Sequence, residues 1–277
     1  MHLDYPMKPN GMYVLSREDI EQIAHDVLTE FMPEVLKAPR PLDIEYMAQE
    51  CLYLELKHMY LSPDGSILGM IAFDDMKLAQ LDDYRLPVEV ELNAGTIITD
   101  GSLEGPEHRQ RKRFTQAHEV AHWICQRSYH SPDNRVFELR TEVKPFIACR
   151  VGSVEQHTGW SESFWSDHRW EEWQADTLAS ALLMPREQFG EEAYYQLMGS
   201  GLPSNYLCED IRFADASRRI ISALAEKFHV SKQAARIRLY QLGFYRNEKN
   251  WKRDAIRKMD EYETLHDWYF TQSREFE

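Results

Sequence analysis

The chemistry of this chain is concentrated in His118-Glu119-Val120-Ala121-His122, two histidines four residues apart with a glutamate beside the first. On a helix, residues i and i+4 share one face a single turn apart, so both imidazoles can reach one metal ion. Glu119 can then contact a water at that ion. The pentapeptide alone also fits two solvated or core-edge histidines. A hydrolytic zinc site usually takes three protein ligands and keeps its fourth position for water, so a third ligand is required on an element able to pack against the first. Glu172-Trp173-Gln174-Ala175-Asp176 meets that need. Glu172 would ligate, and Asp176, one turn further along the same face, would accept the outer N–H of a ligating histidine and fix its tautomer and orientation. Ala117, Ala121, Ala175 and Ala179 would let two such helices approach closely, although alanines are also simply good helix formers. For the two carboxylates the alternative is a solvated helix face.

Both motifs lie in segments that read as helices. Gly105-Pro106-Glu107 opens one, with Pro at a plausible first position, and it should run over 106–126. The other runs from Trp170 to Met184 and is stopped by Pro185. Upstream, Ser16 to Phe31 forms a first helix. Ser16 and Asp19 stand at capping-box spacing, and Ile20, Ile23, Ala24, Val27 and Leu28 recur at helical intervals. A short helix is expected from Leu42 to Cys51, burying Ile44, Met47 and Ala48.

The period then becomes strand-like at Leu52, Leu54 and Leu56, and Ser62-Pro63-Asp64-Gly65 turns the chain. Ile67 to Phe73 is expected to return as the partner strand. Val88, Val90 and Leu92 alternate, Asn93-Ala94-Gly95 turns, and Thr96 to Thr99 forms a further strand. Residues 16–104 thus predict two helices and a small, mostly antiparallel sheet. Ser131 to Asp167 has weak patterning and reads as a long loop or insertion. Ala214 to Phe228 and Ser231 to Leu242 pair as helices, and Trp251 to Tyr262 suggests one more.

The runs RKRFTQAHEVAHWIC and EEWQADTLASALLMP, with the later LAEKFHVSKQAARIRLYQLG, resemble the ImmA/IrrE family of metallopeptidases. The likeness spans roughly 20–242, with its motif-bearing core from Arg111 to Pro185. The family's pattern is an H-E-x-x-H helix, an E-x-x-A-[ND] helix ending in L-L-M-P, and a helix-turn-helix-like segment. His118, Glu119 and His122, Glu172 to Asp176, and Leu182-Leu183-Met184-Pro185 match it. The resemblance implies an α+β, zincin-like fold with a small antiparallel or mixed sheet, an active-site helix and helix-turn-helix-like C-terminal helices. It also implies a catalytic zinc and, often, a substrate that is a transcriptional repressor encoded nearby. The domain expectation is a metallopeptidase domain over 1–198, a helix-turn-helix-like domain over 199–246 and a charged tail over 247–277. Within the first, the insertion 131–167 lengthens the interval between His122 and Glu172 and would reshape the substrate cleft.

On this reading His118, His122 and Glu172 hold zinc, with manganese or another divalent ion as alternatives because raw affinity does not decide between them. Glu119 is the general base and Asp176 supports a ligand. The strand at Thr96 to Thr99 is expected to offer an edge for β-augmentation by substrate. An oxyanion stabiliser is needed in principle, and Tyr129, His130, His157 and His168 are near in sequence without one standing out. Arg111, seven residues before His118, is a substrate-binding candidate that could steer an acidic group, against the plainer reading of a solvated face. Cys125 could approach the metal and Cys149 could occupy its open position as an inhibitory thiolate. A buried, inert cysteine is the alternative for each.

Composition bounds the rest. The chain has 277 residues, 43% hydrophobic, so it can build a core. Its four cysteines form no C-x-x-C pair and read as reduced thiols. The apolar runs are too short to span a bilayer, and the N-terminus lacks the basic-then-apolar layout of a secretory signal, so a cytoplasmic protein is expected. A net charge of −14 argues against nucleic-acid binding by the chain as a whole. Asp215 to Arg246 is locally basic, but Val230, Ala234, Ile237 and Leu239 would be needed for packing in any helical hairpin. Docking of a protein partner or a scaffold role is favoured there over DNA. The expected function is a zinc-dependent endopeptidase that cleaves a helix-turn-helix repressor or antitoxin. The alternative is a DNA-binding or partner-binding regulator with a structural or non-proteolytic metal site.

Overall fold

A computed structural model describes residues 3–81, 86–130, 145–150, 166–200, 202, 206–208 and 214–246. The chain divides into two compact units, Met1–Phe189 with Ala225–Ser231, and Gly190–Leu224 with Lys232–Glu277. The architecture is α+β.

In the first unit, helix α1 (Arg17–Phe31) starts at a complete capping box. The Ser16 hydroxyl accepts from the Asp19 amide and the Asp19 carboxylate accepts from the Ser16 amide at 2.8 Å. Its apolar stripe, Ile20, Ile23, Ala24, Val27 and Leu28, is buried. Helix α2 (Ile44–Tyr46) is capped by Asp43 and continues as a π-helical turn over Met47–Cys51. The helix expected from Leu42 therefore begins two residues later, with Ile44, Met47 and Ala48 inside.

The strands are β1 (Glu55–Met59), β2 (Ile67–Ala72), β3 (Met76–Leu81), β4 (Pro87–Leu92), β5 (Thr96–Asp100) and β6 (Phe146–Arg150). Four of them form one mixed sheet in the order β1-β5-β2-β6, with β5 parallel to β1 and antiparallel to β2. This corrects three sequence expectations. The strand placed at Leu52 to Leu56 starts only at Glu55, after Tyr53 takes a left-handed backbone with φ 55°. Ile67 to Phe73 is not the partner of that strand, because β5 lies between them. Nor is Thr96 to Thr99 an edge: β5 is paired on both sides and all five of its residues are buried, Ile97 and Ile98 in the core and the Asp100 carboxylate accepting from the Leu61 and Ser102 amides. The edges of this sheet, among the described residues, are β1 and β6.

Strand β4 pairs with β3 in a separate two-stranded ribbon, so the turn at Asn93 to Gly95 leads out of the ribbon rather than closing a hairpin with β5. Within the segment read as a loop, residues 146–150 instead form β6, antiparallel to β2 with a register shift between Ile67 and Gly69. Residues 131–144 and 151–165 of that insertion lie outside the described residues.

A 3₁₀ turn at Pro106–His108 leads into α3 (Arg109–Gln126), which packs on β2 and β5. Helix α4 (Asp167–Leu183) is capped by the Ser166 hydroxyl and ends before Pro185. Helices α3 and α4 pack directly against each other, with Ala117, Ala121, Ala175 and Ala179 all fully buried. Small side chains here remove the bulk that would otherwise hold two backbones apart.

Helix α5 (Arg186–Met198) follows Pro185, and α6 (Ala214–Phe228) and α7 (Lys232–Gln241) occupy the segments read as a helix pair. Helix α6 ends in a Schellman turn: His229 adopts φ 53° and the Val230 amide donates to the Ala225 carbonyl at 2.9 Å. In the second unit β7 (Leu207–Cys208) runs parallel to β8 (Tyr245–Arg246). The helix expected over Trp251 to Tyr262, and the whole tail 247–277, lie outside the described residues. No described helix is long and apolar enough to cross a membrane.

Candidate metal centre

Helix α3 presents His118 and His122 from successive turns on the face it turns toward α4. Both are buried, and their Nε2 atoms point at each other 2.8 Å apart. From α4, Glu172 brings Oε2 to 3.6 Å from His118 Nε2 and Oε1 to 3.5 Å from His122 Nε2. The three ligand atoms lie within 4.8 Å of one another. Asp176, one turn further on, sets Oδ1 2.9 Å from His118 Nδ1. On His122 the corresponding nitrogen faces Gln126 Oε1 at 3.1 Å. Gln126 Nε2 donates to Gln174 Oε1 at 2.9 Å, and Gln174 Nε2 donates to the Tyr13 carbonyl at 2.9 Å.

A carboxylate at His118 Nδ1 favours N–H there and leaves a lone pair on Nε2. Burial pushes the His122 imidazole toward its neutral form, and neighbouring His118 pushes it the same way. Burial alone would raise the pKa of Glu172, and N–H donation and positive charge from the two histidines lower it; with their lone pairs turned inward instead, a cation has to take over that part. Two neutral imidazoles with lone pairs facing inward, closed by an ionised carboxylate, repel unless a cation lies between them. The donor set of two nitrogens and an oxygen suits a divalent ion.

Glu119 supports the same fit. Both of its carboxyl oxygens are buried and have no hydrogen-bond partner, an arrangement that native proteins avoid unless the group has another use. Burial pushes its pKa up to about 8; His118 works against this and the Glu172 charge adds to it. The strand β2 passes close by at Gly69, where a Cβ would fall 2.5 Å from Glu119 Oε1 and 2.5 Å from Thr115 Cγ2. Gly69 also borders the register shift against β6, a type of irregularity that re-aims a strand beside a site.

The remaining sequence candidates are placed differently. Arg111 is exposed on α3, two turns before His118. Cys125 is buried, and burial pushes its thiol up to about 12, which keeps it protonated and removes it as a ready ligand. His130 Nε2 lies 2.5 Å from Glu171 Oε1 with its ring stacked on Phe73 at 4.5 Å. Tyr129 packs edge-on against His130, and exposed His168 approaches Glu171 at 3.9 Å. The side chain of Cys149 and all of His157 lie outside the described residues. Sequence reasoning missed Gln126, Gln174 and Gly69. The signals present were an amide at i+4 from His122 and a glycine inside an apolar strand run.

A family model described as the IrrE N-terminal-like domain, Peptidase_M78, matches residues 104–240. That interval holds α3, α4 and all of the side chains converging on the centre. No curated protein matches the chain.

Proposed function

From the premise that this chain belongs to the Peptidase_M78 family through an IrrE N-terminal-like domain over residues 104–240, we propose that it is a zinc-dependent endopeptidase acting on a regulatory protein. The class of substrate that suits it is a helix-turn-helix repressor or antitoxin encoded nearby. One observation carries the reading: His118, His122 and Glu172 converge within ligand distance of one another, beside a buried Glu119 whose oxygens have no partner. Zinc is the first choice because two imidazoles and one carboxylate form a familiar catalytic set, with manganese or another divalent ion as alternatives. A cation held there supplies Lewis acidity at the scissile carbonyl and makes water a better nucleophile near neutral pH.

The side chains do the rest. His118 and His122 bind through Nε2, and Glu172 closes the site from α4. Glu119 takes the proton of the attacking water and returns it to the leaving amine; burial raises its pKa, and a cation held beside it would oppose that rise and keep the carboxylate ionised to accept the proton. Asp176 holds the His118 ring. The substrate backbone adds to β6 rather than to β5, since β6 is an edge among the described residues and its register places it beside Gly69, which abuts Glu119.

The test is direct. The purified protein is mixed with the regulator encoded next to its gene, with and without chelator, and intact masses are followed. A single defined cut that chelator abolishes is expected. Glu119→Gln should keep its metal and lose about 10²–10⁴-fold in cleavage rate. If no fragment appears under any metal, and binding to a DNA operator falls steeply with salt, the DNA-binding alternative replaces this reading.

A further inference from the structure

We propose that Gln126 and Gln174 are positioning residues, forming a buried amide relay that starts at the Tyr13 backbone carbonyl and dictates which ring nitrogen of His122 carries the proton. The direction of the relay follows from its far end. A backbone carbonyl can only accept, so Gln174 must turn its NH₂ toward Tyr13, at 2.9 Å. Its own Oε1 is then committed to Gln126, whose Nε2 donates to it at 2.9 Å. That leaves Gln126 Oε1, a pure acceptor, 3.1 Å from His122 Nδ1. The ring must therefore be protonated at Nδ1, and in its neutral form it presents a lone pair at Nε2, the atom that faces His118 and Glu172. Gln126, Gln174 and His122 are all 0% exposed, so the links are shut off from bulk solvent.

The two histidines are thus fixed by different means. His118 is held by a charged group, Asp176, and His122 by neutral dipoles that add no second charge to the site. The relay also reaches into the N-terminal segment. Tyr13 bridges to Met7, and Lys8 and Asn10 each bond Asp167, at the first turn of α4, at 2.9 Å. Residues far from the motif in sequence therefore set the tautomer of a candidate ligand.

This inference rests on the metal-site reading for its purpose, but the tautomer can be observed without metal. In the metal-free, full-length protein, long-range ¹⁵N correlations of the imidazole should show His122 protonated at Nδ1. Gln174→Met, which does not touch the ring, should give mixed tautomers and weaken zinc binding about 10–100-fold in a chelator competition. The double variant Gln126→Glu/Gln174→Met should restore the Nδ1–H form, because a carboxylate accepts whatever stands behind it. If Gln174→Met fails to fold, Gln126→Met interrogates the adjoining link. An interruption that leaves both tautomer and zinc affinity unchanged, even with a lowered melting temperature, overturns the relay and leaves packing as the amides' role. Failure of the wild-type protein to bind zinc would instead count against the metal-site reading, and the tautomer would still decide the relay.

Discussion

Cys125 follows His122 by three residues on the same helix, and only its burial keeps it out of the chemistry. It is 1% exposed and its thiol is pushed up to about 12, so almost none of it is thiolate at neutral pH. With native protein, iodoacetamide and peptide mapping should find Cys125 unmodified until the chain is unfolded, while half-buried Cys51 labels earlier; equal labelling of the two in the native state would contradict this. The contrast with its neighbours explains what could be read in advance at this scale. Spacing puts His118 with His122, and Glu172 with Asp176, each on one helical stripe, and the need for a third ligand together with the family resemblance made the meeting of the two stripes legible. Gln126 and Gln174 were not, because an amide gains its role only from the partner it finds, and that partner, Tyr13, is remote in sequence.

Strand β2 and helix α3 approach so closely that residue 69 has no room for a methyl group. Gly69 is not in the left-handed region, so a substitution there acts through space rather than backbone strain. Gly69→Ala should destabilise the fold by about 1–3 kcal/mol as the Thr115 and Glu119 side chains are displaced. It should also reduce cleavage by more than the loss in metal content, since Glu119 moves before the ligands do. Denaturant melts, metal analysis and turnover on one preparation check this; unchanged turnover would show that the space is not critical. Elements with local signals were legible, from the capping box at Ser16 to the proline stops. Strand pairing was not. A turn between two apolar runs looks like a hairpin, and nothing between Leu52 and Phe73 announces that a later segment will enter between them. Strand β3 escaped notice because only one face of its ribbon with β4 is covered, through half-buried Met76, Leu78 and Val90, and Ala79 and Leu81 blur the apolar alternation in the sequence. Strand β6 was missed because a five-residue run within a weakly patterned stretch has no periodicity to stand on.

At the scale of the molecule, a cation between α3 and α4 would tie two helices that the sequence separates. Ligand that binds only the native state adds about 2.7 kcal/mol when present at 100 times its Kd, so chelation should lower the melting temperature measurably. The pH dependence has a definite sign. His122 has a folded pKa below its ordinary 6.5, so below that value the unfolded chain takes up protons that the folded one resists, and stability is lost as pH falls. Glu119 has a folded pKa of about 8 against an ordinary 4.5, so in the metal-free protein its contribution is full below 4.5 and fades as pH rises toward 8. A nearby cation offsets that fading, and imidazoles bind it better once neutral. The difference in melting temperature between metal-loaded and chelated protein should therefore widen from about pH 5.5 to 8; a constant difference would remove both groups from the linkage. Strand β5 has a last consequence, for how the chain is made. Strands β1 and β2 leave the ribosome before the strand that must separate them, so any early pairing between them has to be undone. The histidine pair likewise emerges ahead of β6 and of Glu172, so a nascent chain carries a half-built centre, and the three candidate ligands can meet only once translation has passed α4.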